Sequence, residues 1–183
     1  MIYLQQGDLI IRDMIAPDAP ALAAAEAAQG WQPTLEKHER RLRDQASGEC
    51  VSLVAALRGE PVGYIHVYPD SRWGAFGGRG WPEIMDFNVL KKHRRRGVGS
   101  LLMDVAEAVA ARYCDTVYLG VGLHSGYGSA QRLYVRRGYI PDGTGVWYRG
   151  APCPPYGPIE ANDDELVLYL SKTLRRQAYG DQA

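Results

Sequence analysis

The stretch that decides the fold is residues 89 to 100, Val89-Leu90-Lys91-Lys92-His93-Arg94-Arg95-Arg96-Gly97-Val98-Gly99-Ser100. It joins an apolar strand to the start of a helix through a run of basic residues and two glycines. The first turn of a helix leaves backbone N–H groups without partners and carries the positive end of the helix dipole. Glycines let a large anion approach that backbone closely, so the stretch predicts a binding site for a phosphate or a diphosphate.

Two familiar phosphate motifs do not fit this stretch. A P-loop requires Lys and then Ser or Thr after its second glycine, whereas Gly99 is followed by Ser100 and Leu101. The dinucleotide-binding fingerprint requires a third glycine at the position of Leu102. The remaining pattern is the RxxGxG of residues 94 to 99, directly after a predicted strand. Its two glycines could instead serve tight packing of the helix on the sheet, and both explanations stay open at this point.

Hydrophobic periodicity and turn residues predict an alternation of strands and helices. In chain order, the predicted elements are a strand at 9–15, helices at 20–29 and 35–47, a hairpin at 50–57 and 62–68, a strand at 83–90, a helix at 97–113, a strand at 116–123, a helix at 129–137 and strands at 139–148 and 165–174. Residues 71–82 contain four glycines and no period, which is typical of a loop. Since no internal repeat or linker interrupts the chain, we expect a single domain over residues 1–183.

A second motif block lies in the predicted helix at 129–137 and reads Ala130-x-x-Leu133-Tyr134-x-x-x-Gly138-Tyr139. Together with the first block and the order of elements, it resembles the GNAT family of acyl-CoA-dependent N-acyltransferases over nearly the whole chain. The resemblance implies an α/β fold of GNAT type, with a mixed, mostly antiparallel sheet of six to seven strands flanked by about four helices. The chain departs from the family at Tyr127, where the second block commonly begins with Asn.

The resemblance also implies that acetyl-CoA is the co-substrate. Its pantetheine arm would bond to main-chain groups of Asn88, Val89 and Leu90. The residues for its diphosphate would be those of the first block, Arg94, Arg95, Arg96, Gly97, Val98, Gly99 and Ser100. Gly120 and Gly122 share one face of the strand at 116–123, where glycines indicate that something approaches closely, and they would help to make room for the coenzyme.

Acyl transfer from a thioester to an amine needs a base for the amine and a proton or hydrogen bond for the departing thiolate. Tyr134 matches the family's general-acid tyrosine, and its alternative role is that of an ordinary core aromatic. Glu83 stands where some family members keep a glutamate that works through water, although a solvated strand end would look the same. Asp86 is an acidic residue within an apolar run, which is costly unless it is paired or functional. The sequence leaves the choice of base open, and direct transfer requires no metal.

The acceptor implied by the resemblance is a primary amine of a small molecule or a peptide. Trp31 and His124 are the candidates for binding it, because they lie in parts of the fold that vary within the family. His124 follows a predicted strand directly, where a polar loop residue is the alternative interpretation. Aromatic residues in the loop 71–82 and around the segment 149–163 suggest an apolar or ring-bearing acceptor.

The bulk composition argues against several other classes of protein. The 21 Lys and Arg residues balance the 21 Asp and Glu residues, so nucleic acid and an anionic membrane are not expected as partners. No stretch reaches the length of a membrane span, and the three cysteines match neither a disulfide nor a metal framework, which makes a cytoplasmic location the expectation. The alternative function is a non-catalytic acyl-CoA-binding regulatory module. Monomer and homodimer both stay open.

Overall fold

The computed structural model describes residues 1–32, 34–158 and 160–174. The chain divides into two compact units. The first comprises Met1–Pro69 and Ile84–Val109, and the second comprises Asp70–Glu83 and the chain from Ala110 onward. Each unit has its own set of strands and its own buried apolar cluster. The single domain over 1–183 stays a prediction.

The first unit contains five strands that are hydrogen-bonded in chain order. These are β1 (Ile2–Gln6), β2 (Leu9–Asp13), β3 (Val51–Leu57), β4 (Glu60–Tyr68) and β5 (Glu83–Val89), the last of which enters this unit at Ile84. Neighbouring strands from β1 to β4 pair antiparallel. The helices of this unit are α1 (Asp18–Ala28), α2 (Leu35–Ala46) and α3 (Val98–Ala110).

Local chemistry sets the ends of α2. Thr34 caps its first turn, since its hydroxyl oxygen accepts a hydrogen bond from the backbone N–H of Lys37 at 3.3 Å. The chain leaves the helix through Gly48, whose φ of +81° lies in the left-handed region that favours glycine. The helix is highly charged, yet it buries His38 and Arg41. It therefore contributes polar side chains to the interior of the unit.

The apolar cluster of the first unit joins α1 to the central strands. Its buried members are Met14, Ala19, Leu22, Val54 and Tyr64, and Leu42 of α2 packs against them. At the start of α1, Arg12 and Asp18 form a paired contact with N···O distances of 2.6 and 2.9 Å. The carboxylate of Asp18 also accepts the backbone N–H of Ile15 at 2.8 Å, which holds the entry to the helix.

The second unit contains a four-stranded antiparallel arrangement in the order β6-β9-β7-β8. The strands are β6 (Thr116–Gly122), β7 (Ile140–Tyr148), β8 (Ala151–Pro152) and β9 (Leu166–Thr173), and the helix is α4 (Gly128–Arg136). Its buried cluster consists of Phe76, Tyr118 and Tyr169. The loop 71–82 thus contributes to the interior of this unit through Phe76.

The structure confirms the predicted α/β class, the mostly antiparallel strands and, among the described residues, four α-helices. The described residues form nine strands in place of six to seven. The prediction lacks β1, which turns into β2 through Gly7 at a φ of +59°, and β8, a two-residue strand in the proline-rich segment. No helix in the described part of the chain is long and apolar enough to cross a bilayer.

Candidate active site

The segment of the predicted diphosphate site, Arg94–Ser100, which we name the nest, contains two residues in the left-handed conformation. After β5, a short 3-10 turn at Lys91–His93 leads into the segment before α3. Arg95 and Gly97 in this segment have φ values of +60° and +83°. Turns of this kind before a helix are common in backbone sites that bind anions through N–H groups. The site lies at the head of a 13-residue helix, where the helix dipole adds to the same preference.

The two positions of the motif are glycines for different structural reasons. Gly97 adopts the left-handed conformation, and a Cβ atom there would meet no described atom within 4 Å. At Gly99 a Cβ atom would lie 3.1 Å from the ring of Phe87. Gly97 is therefore required by backbone conformation and leaves open space beside the nest, whereas Gly99 allows α3 to pack closely on β5. The packing explanation that the sequence leaves open therefore holds at Gly99. Anion binding at Gly97 stays a prediction.

Arg94 connects the nest to the segment after α1. Its Nε atom donates to the carbonyl oxygen of Val89 at 2.9 Å, and its guanidinium lies 5.5 Å from the centre of the Trp31 ring. Nearby, the backbone N–H of Lys91 donates to the side-chain oxygen of Gln29 at 2.8 Å. Two predicted site residues, Trp31 and Arg94, are therefore in direct contact.

Asp86 lies in an ion-pair network. Its φ is +49°, unusual for a non-glycine residue in a strand, and its carboxylate accepts hydrogen bonds from Nε and Nη2 of Arg41 at 3.0 and 2.5 Å. The ammonium of Lys37 is 3.9 Å away. Burial would raise the pKa of Asp86, but the charges of Lys37 and Arg41 outweigh it and keep the pKa below its ordinary value. A carboxylate held in this way is a weak proton acceptor.

A buried hydrogen-bond network beside Asn88 has no counterpart in the sequence prediction. The Tyr64 hydroxyl donates to Glu26 at 2.5 Å, and Nε2 of His38 lies 3.0 Å from the other Glu26 oxygen. Burial would raise the pKa of Glu26, but these two hydrogen bonds, together with the electrostatic effects of His38 and Lys37, outweigh it and lower the pKa. Because Tyr64 donates its hydroxyl proton to Glu26, its oxygen accepts hydrogen bonds from Lys37 and from Nδ2 of Asn88, each at 3.1 Å. This direction of bonding turns the Nδ2 end of the Asn88 amide towards Tyr64.

Glu83 is a buried carboxylate at the start of β5, with 5% of its surface exposed. It therefore does not fit the alternative of a solvated strand end. One of its oxygens, Oε2, accepts a hydrogen bond from the hydroxyl of Ser71, and the hydroxyl of Tyr118 lies 3.3 Å from the same oxygen. Ser71 and Tyr118 are additional members of the candidate site, and neither stands out in the sequence.

Tyr134 lies on α4 and is 6% exposed. Its ring centre is 5.8 Å from that of Tyr139, the last residue of the second motif block. Burial is the main reason why the pKa of Tyr134 lies above its ordinary value, and the neighbouring Tyr127 adds to the effect. The phenol is therefore protonated near neutral pH, as a proton donor must be.

His124 is committed to local hydrogen bonds. Its Nδ1 atom accepts the backbone N–H of Gly126 at 3.0 Å, so its ring proton is on Nε2, which donates to Asp164 at 2.9 Å. The hydroxyl of Tyr127 lies 3.0 Å from the same oxygen of Asp164. In this arrangement both ring nitrogens are engaged in hydrogen bonds of the turn. His124 shapes the turn that precedes α4.

The glycines of β6 make room for tyrosine rings of the protein itself. A Cβ atom at Gly120 would lie 3.3 Å from the ring of Tyr169, and one at Gly122 would lie 2.4 Å from the ring of Tyr127. The close approach expected at this face is present. Tyr127, the residue that departs from the family pattern, therefore rests against a strand position that has no side chain.

The candidate residues are distributed over both units. Trp31, Asp86, Asn88–Leu90 and Arg94–Ser100 belong to the first unit, and Glu83, His124 and Tyr134 belong to the second. Among the described residues, no group of three or more His, Cys, Asp or Glu side chains is arranged to hold a metal ion.

Comparison with solved structures relates this geometry to known folds. The chain is similar to Ard1 from Thermoplasma volcanium (TM-score 0.66, 20% identity, covering 91% of this chain and 98% of that one). It is also similar to a ribosomal-protein-alanine N-acetyltransferase from Brucella melitensis (TM-score 0.64, 21% identity, covering 90% and 99%). A third similar structure is yncA, a putative acetyltransferase from Salmonella typhimurium with its cofactor acetyl-CoA (TM-score 0.65, 17% identity, covering 97% and 100%). At these identities the likeness concerns the fold.

Comparison with curated protein sequences found no significant match. Comparison with protein-family models matched residues 14–139 to the acetyltransferase (GNAT) family. The matched region contains both motif blocks, the nest before α3 and the helix that carries Tyr134. Because this match spans more than half of the chain, the protein belongs to the acetyltransferase (GNAT) family.

Proposed function

We propose that the protein transfers the acetyl group of acetyl-CoA directly to a primary amine of a small molecule or a peptide. As a member of its family, it is an acetyl-CoA-dependent acetyltransferase. The observation that carries the proposal is the nest formed by Arg95 and Gly97 at the head of α3. Among proteins of similar fold, one is named for acetylating the alanine of a ribosomal protein and another contains acetyl-CoA, which supports an amine acceptor and this donor.

The nest fits the chemistry of a diphosphate. Left-handed φ values at Arg95 and Gly97 turn the backbone just before the head of α3, where unpaired N–H groups favour an anion, and the segment Arg94–Ser100 carries cationic side chains that would pair with a diphosphate. Main-chain groups of Asn88, Val89 and Leu90 would bind the pantetheine arm. The coenzyme supplies the thioester, whose carbonyl carbon is the electrophile.

We assign the base to Glu83 rather than Asp86. The pKa of Asp86 is lowered by Lys37 and Arg41, so this carboxylate has little tendency to take up a proton near neutral pH. Glu83 is buried, and the hydroxyl of Ser71 donates to it. In the proposed reaction Glu83 removes a proton from the attacking amine, directly or through one water molecule.

The remaining roles follow from the charges that develop during acyl transfer. Attack of the amine on the thioester carbonyl produces an oxyanion, which a backbone N–H near Val89 stabilises. When the carbon–sulfur bond breaks, the thiolate receives a proton or a hydrogen bond. Tyr134 is assigned this role because its raised pKa keeps the phenol protonated until the thiolate forms.

Trp31 and His124 are assigned to the surroundings of the acceptor rather than to the chemistry. His124 holds the turn before α4 through Gly126 and Asp164. The aromatic residues that suggest a ring-bearing acceptor have mixed positions. Trp81 and Trp147 pack against the buried cluster of the second unit, whereas Trp73 and Tyr156 are exposed and are the ones available to an acceptor.

The proposal is tested by measuring release of free CoA from acetyl-CoA with a panel of small primary amines and peptides with free N-termini. We expect acceptor-dependent release with at least one class of amine. Glu83→Gln should lower this turnover by about 100-fold while acetyl-CoA binding, measured by calorimetry, stays within about twofold. Binding of acetyl-CoA without turnover for any amine would instead support the non-catalytic acyl-CoA-binding module.

A further inference from the structure

We propose that Ser71 is a positioning residue for Glu83, which holds one oxygen of its carboxylate and stabilises its charged form. The inference rests on the proposed function, in which Glu83 takes the proton of the amine. Ser71 lies 12 residues before Glu83, in the glycine-rich loop. Its effect on catalysis would act through Glu83.

The hydrogen bond between the two residues lies in the interior of the second unit. Ser71 is 4% exposed and Glu83 is 5% exposed, and the Ser71 hydroxyl donates to Oε2 of Glu83. A hydroxyl bound to a carboxylate forms a charge-assisted hydrogen bond, which is stronger than one between neutral groups. Little water is available there to replace it. Removing the hydroxyl should therefore disfavour the charged carboxylate measurably.

Neighbouring groups determine which atom donates. The backbone N–H of Trp73 donates to the Ser71 oxygen at 3.3 Å, so the serine oxygen is an acceptor there and its own proton is available for Glu83. The Tyr118 hydroxyl lies 2.9 Å from the carbonyl oxygen of Trp73 and 3.3 Å from Glu83. Since Tyr118 has one proton and the carbonyl is nearer, Ser71 is a better-placed donor to Oε2 of Glu83 than Tyr118 is.

The loop holds Ser71 in place by close packing. The carbonyl oxygen of Ser71 accepts the backbone N–H of Gly78 at 3.0 Å, which closes the loop on itself. A Cβ atom at Gly74 would lie 2.2 Å from the ring of Tyr169, so the loop contacts that ring through its bare backbone. Phe76 packs on Tyr118, with ring centres 5.2 Å apart. The glycines and aromatic residues of the loop thus hold the Ser71 hydroxyl next to Glu83.

This arrangement indicates which proton moves when the amine attacks. As the amine attacks, its N–H bond breaks and an O–H bond forms on the Glu83 carboxylate, while the Ser71 proton stays on serine. Before the step, Ser71 keeps Glu83 charged and able to accept. Without the hydroxyl, Glu83 would take up its proton at a higher pH. The acidic limb of the pH–rate profile would then move to higher pH.

The test is a carbon-13 NMR titration of the glutamate side-chain carboxyl groups in the full chain, which needs no acceptor. The Glu83 signal is assigned by its loss in Glu83→Gln. In Ser71→Ala its titration midpoint should rise by about one to two pH units. Ser71→Thr, which retains a hydroxyl, should return the midpoint towards the wild-type value. Tyr118→Phe should raise it less than Ser71→Ala does.

Ser171→Ala is the matched control, because Ser171 pairs with Tyr118 across β6 and β9 and has no described bond to Glu83. It should leave the Glu83 midpoint unchanged. An unchanged midpoint in Ser71→Ala, whatever its melting temperature, would overturn the inference.

The proposed base role fails separately, if Glu83→Gln retains wild-type CoA release with an accepted amine. With such an amine, the acidic limb of kcat/KM should shift in Ser71→Ala by the same amount as the NMR midpoint.

Discussion

Arg41 donates two hydrogen bonds from its guanidinium to the carboxylate of Asp86, across 45 residues of sequence. The side chain of Arg41 is 8% exposed and that of Asp86 is 28% exposed. This pairing joins α2 to β5 within the first unit and gives Asp86 a structural reason for its place in an apolar strand. It also distinguishes the two carboxylates that the sequence offers as bases, since Asp86 is paired with a guanidinium and Glu83 accepts from a hydroxyl.

Asp86→Asn should therefore reduce the stability of the protein more than it reduces turnover. Loss of the charged partner of a mostly buried guanidinium should cost about 2 kcal/mol in the free energy of unfolding. Because the folded pKa of Asp86 lies below its unfolded value, its stabilising contribution is complete above the unfolded pKa and is lost as the pH falls through the folded one. Urea denaturation of wild type and variant at pH 7 and pH 3 measures this, and the difference should shrink at pH 3. Turnover reduced as strongly as in Glu83→Gln, in folded protein, would return the base role to Asp86.

Gly97→Ala and Gly99→Ala should fail in different ways. Gly97→Ala puts a side chain at a φ of +83° beside the nest, which should cost about 1 kcal/mol of stability and weaken acetyl-CoA binding at least tenfold. Gly48→Ala is its control, since Gly48 has a φ of +81°, equally open surroundings and a place far along the chain from the nest. Gly99→Ala brings a methyl group to 3.1 Å from Phe87 and should mainly reduce stability. Calorimetry and denaturation of the three variants distinguish these effects, and equal acetyl-CoA affinity in Gly97→Ala and Gly48→Ala would contradict the role of the nest.

Tyr134→Phe should lower kcat by about 100-fold and leave the KM for acetyl-CoA within about threefold. The reason is that the variant retains the buried ring and loses only the proton donor. Tyr113→Phe makes the same chemical change at a residue that is 54% exposed and should retain wild-type kinetics. Steady-state CoA release with an accepted amine is the measurement. Wild-type kcat in Tyr134→Phe would leave this residue as a core aromatic only.

His66 should make the first unit sensitive to acid. The side chain is fully buried, and neither ring nitrogen has a hydrogen-bond partner in the described part of the chain. Burial lowers the pKa of His66 to about 3. Since the unfolded chain binds a proton at a higher pH than the folded one does, stability should fall by about 1.4 kcal/mol per unit as the pH drops from about 6 towards 3. His66→Phe should flatten this slope in denaturation experiments across that range, and an unaltered slope would show that other groups cause it.

The parts of this protein that could be predicted from sequence are those that are local along the chain. The nest occupies seven consecutive residues, and its glycines and basic residues are visible without a structure. The cap at Thr34 and the stop at Gly48 follow from chemistry within one helix. In contrast, β1 is short and mostly exposed, so its hydrophobic pattern is weak.

The polar networks could not be predicted, because their members are distant in sequence and each has an ordinary explanation alone. Tyr64 bonds Glu26 across 38 residues, and Tyr118 lies near Glu83 across 35. A glutamate in an alanine-rich helix and a tyrosine in a strand are unremarkable until the fold brings them together. The same holds for Gly122, where a close neighbour is expected from the sequence but the ring of Tyr127 is not.

The loop 71–82 has one consequence for anyone who wishes to redirect the enzyme to another acceptor. Positions 74 and 77 tolerate no side chain, because a methyl group would collide with Tyr169 or with the backbone of Arg72. Gly78 and Gly80 meet nothing within 4 Å. Single substitutions at positions 78 and 80 therefore meet no steric obstacle and are restricted by their left-handed backbone conformation. Grafts that replace residues 71–77 would instead remove Phe76 from the buried cluster.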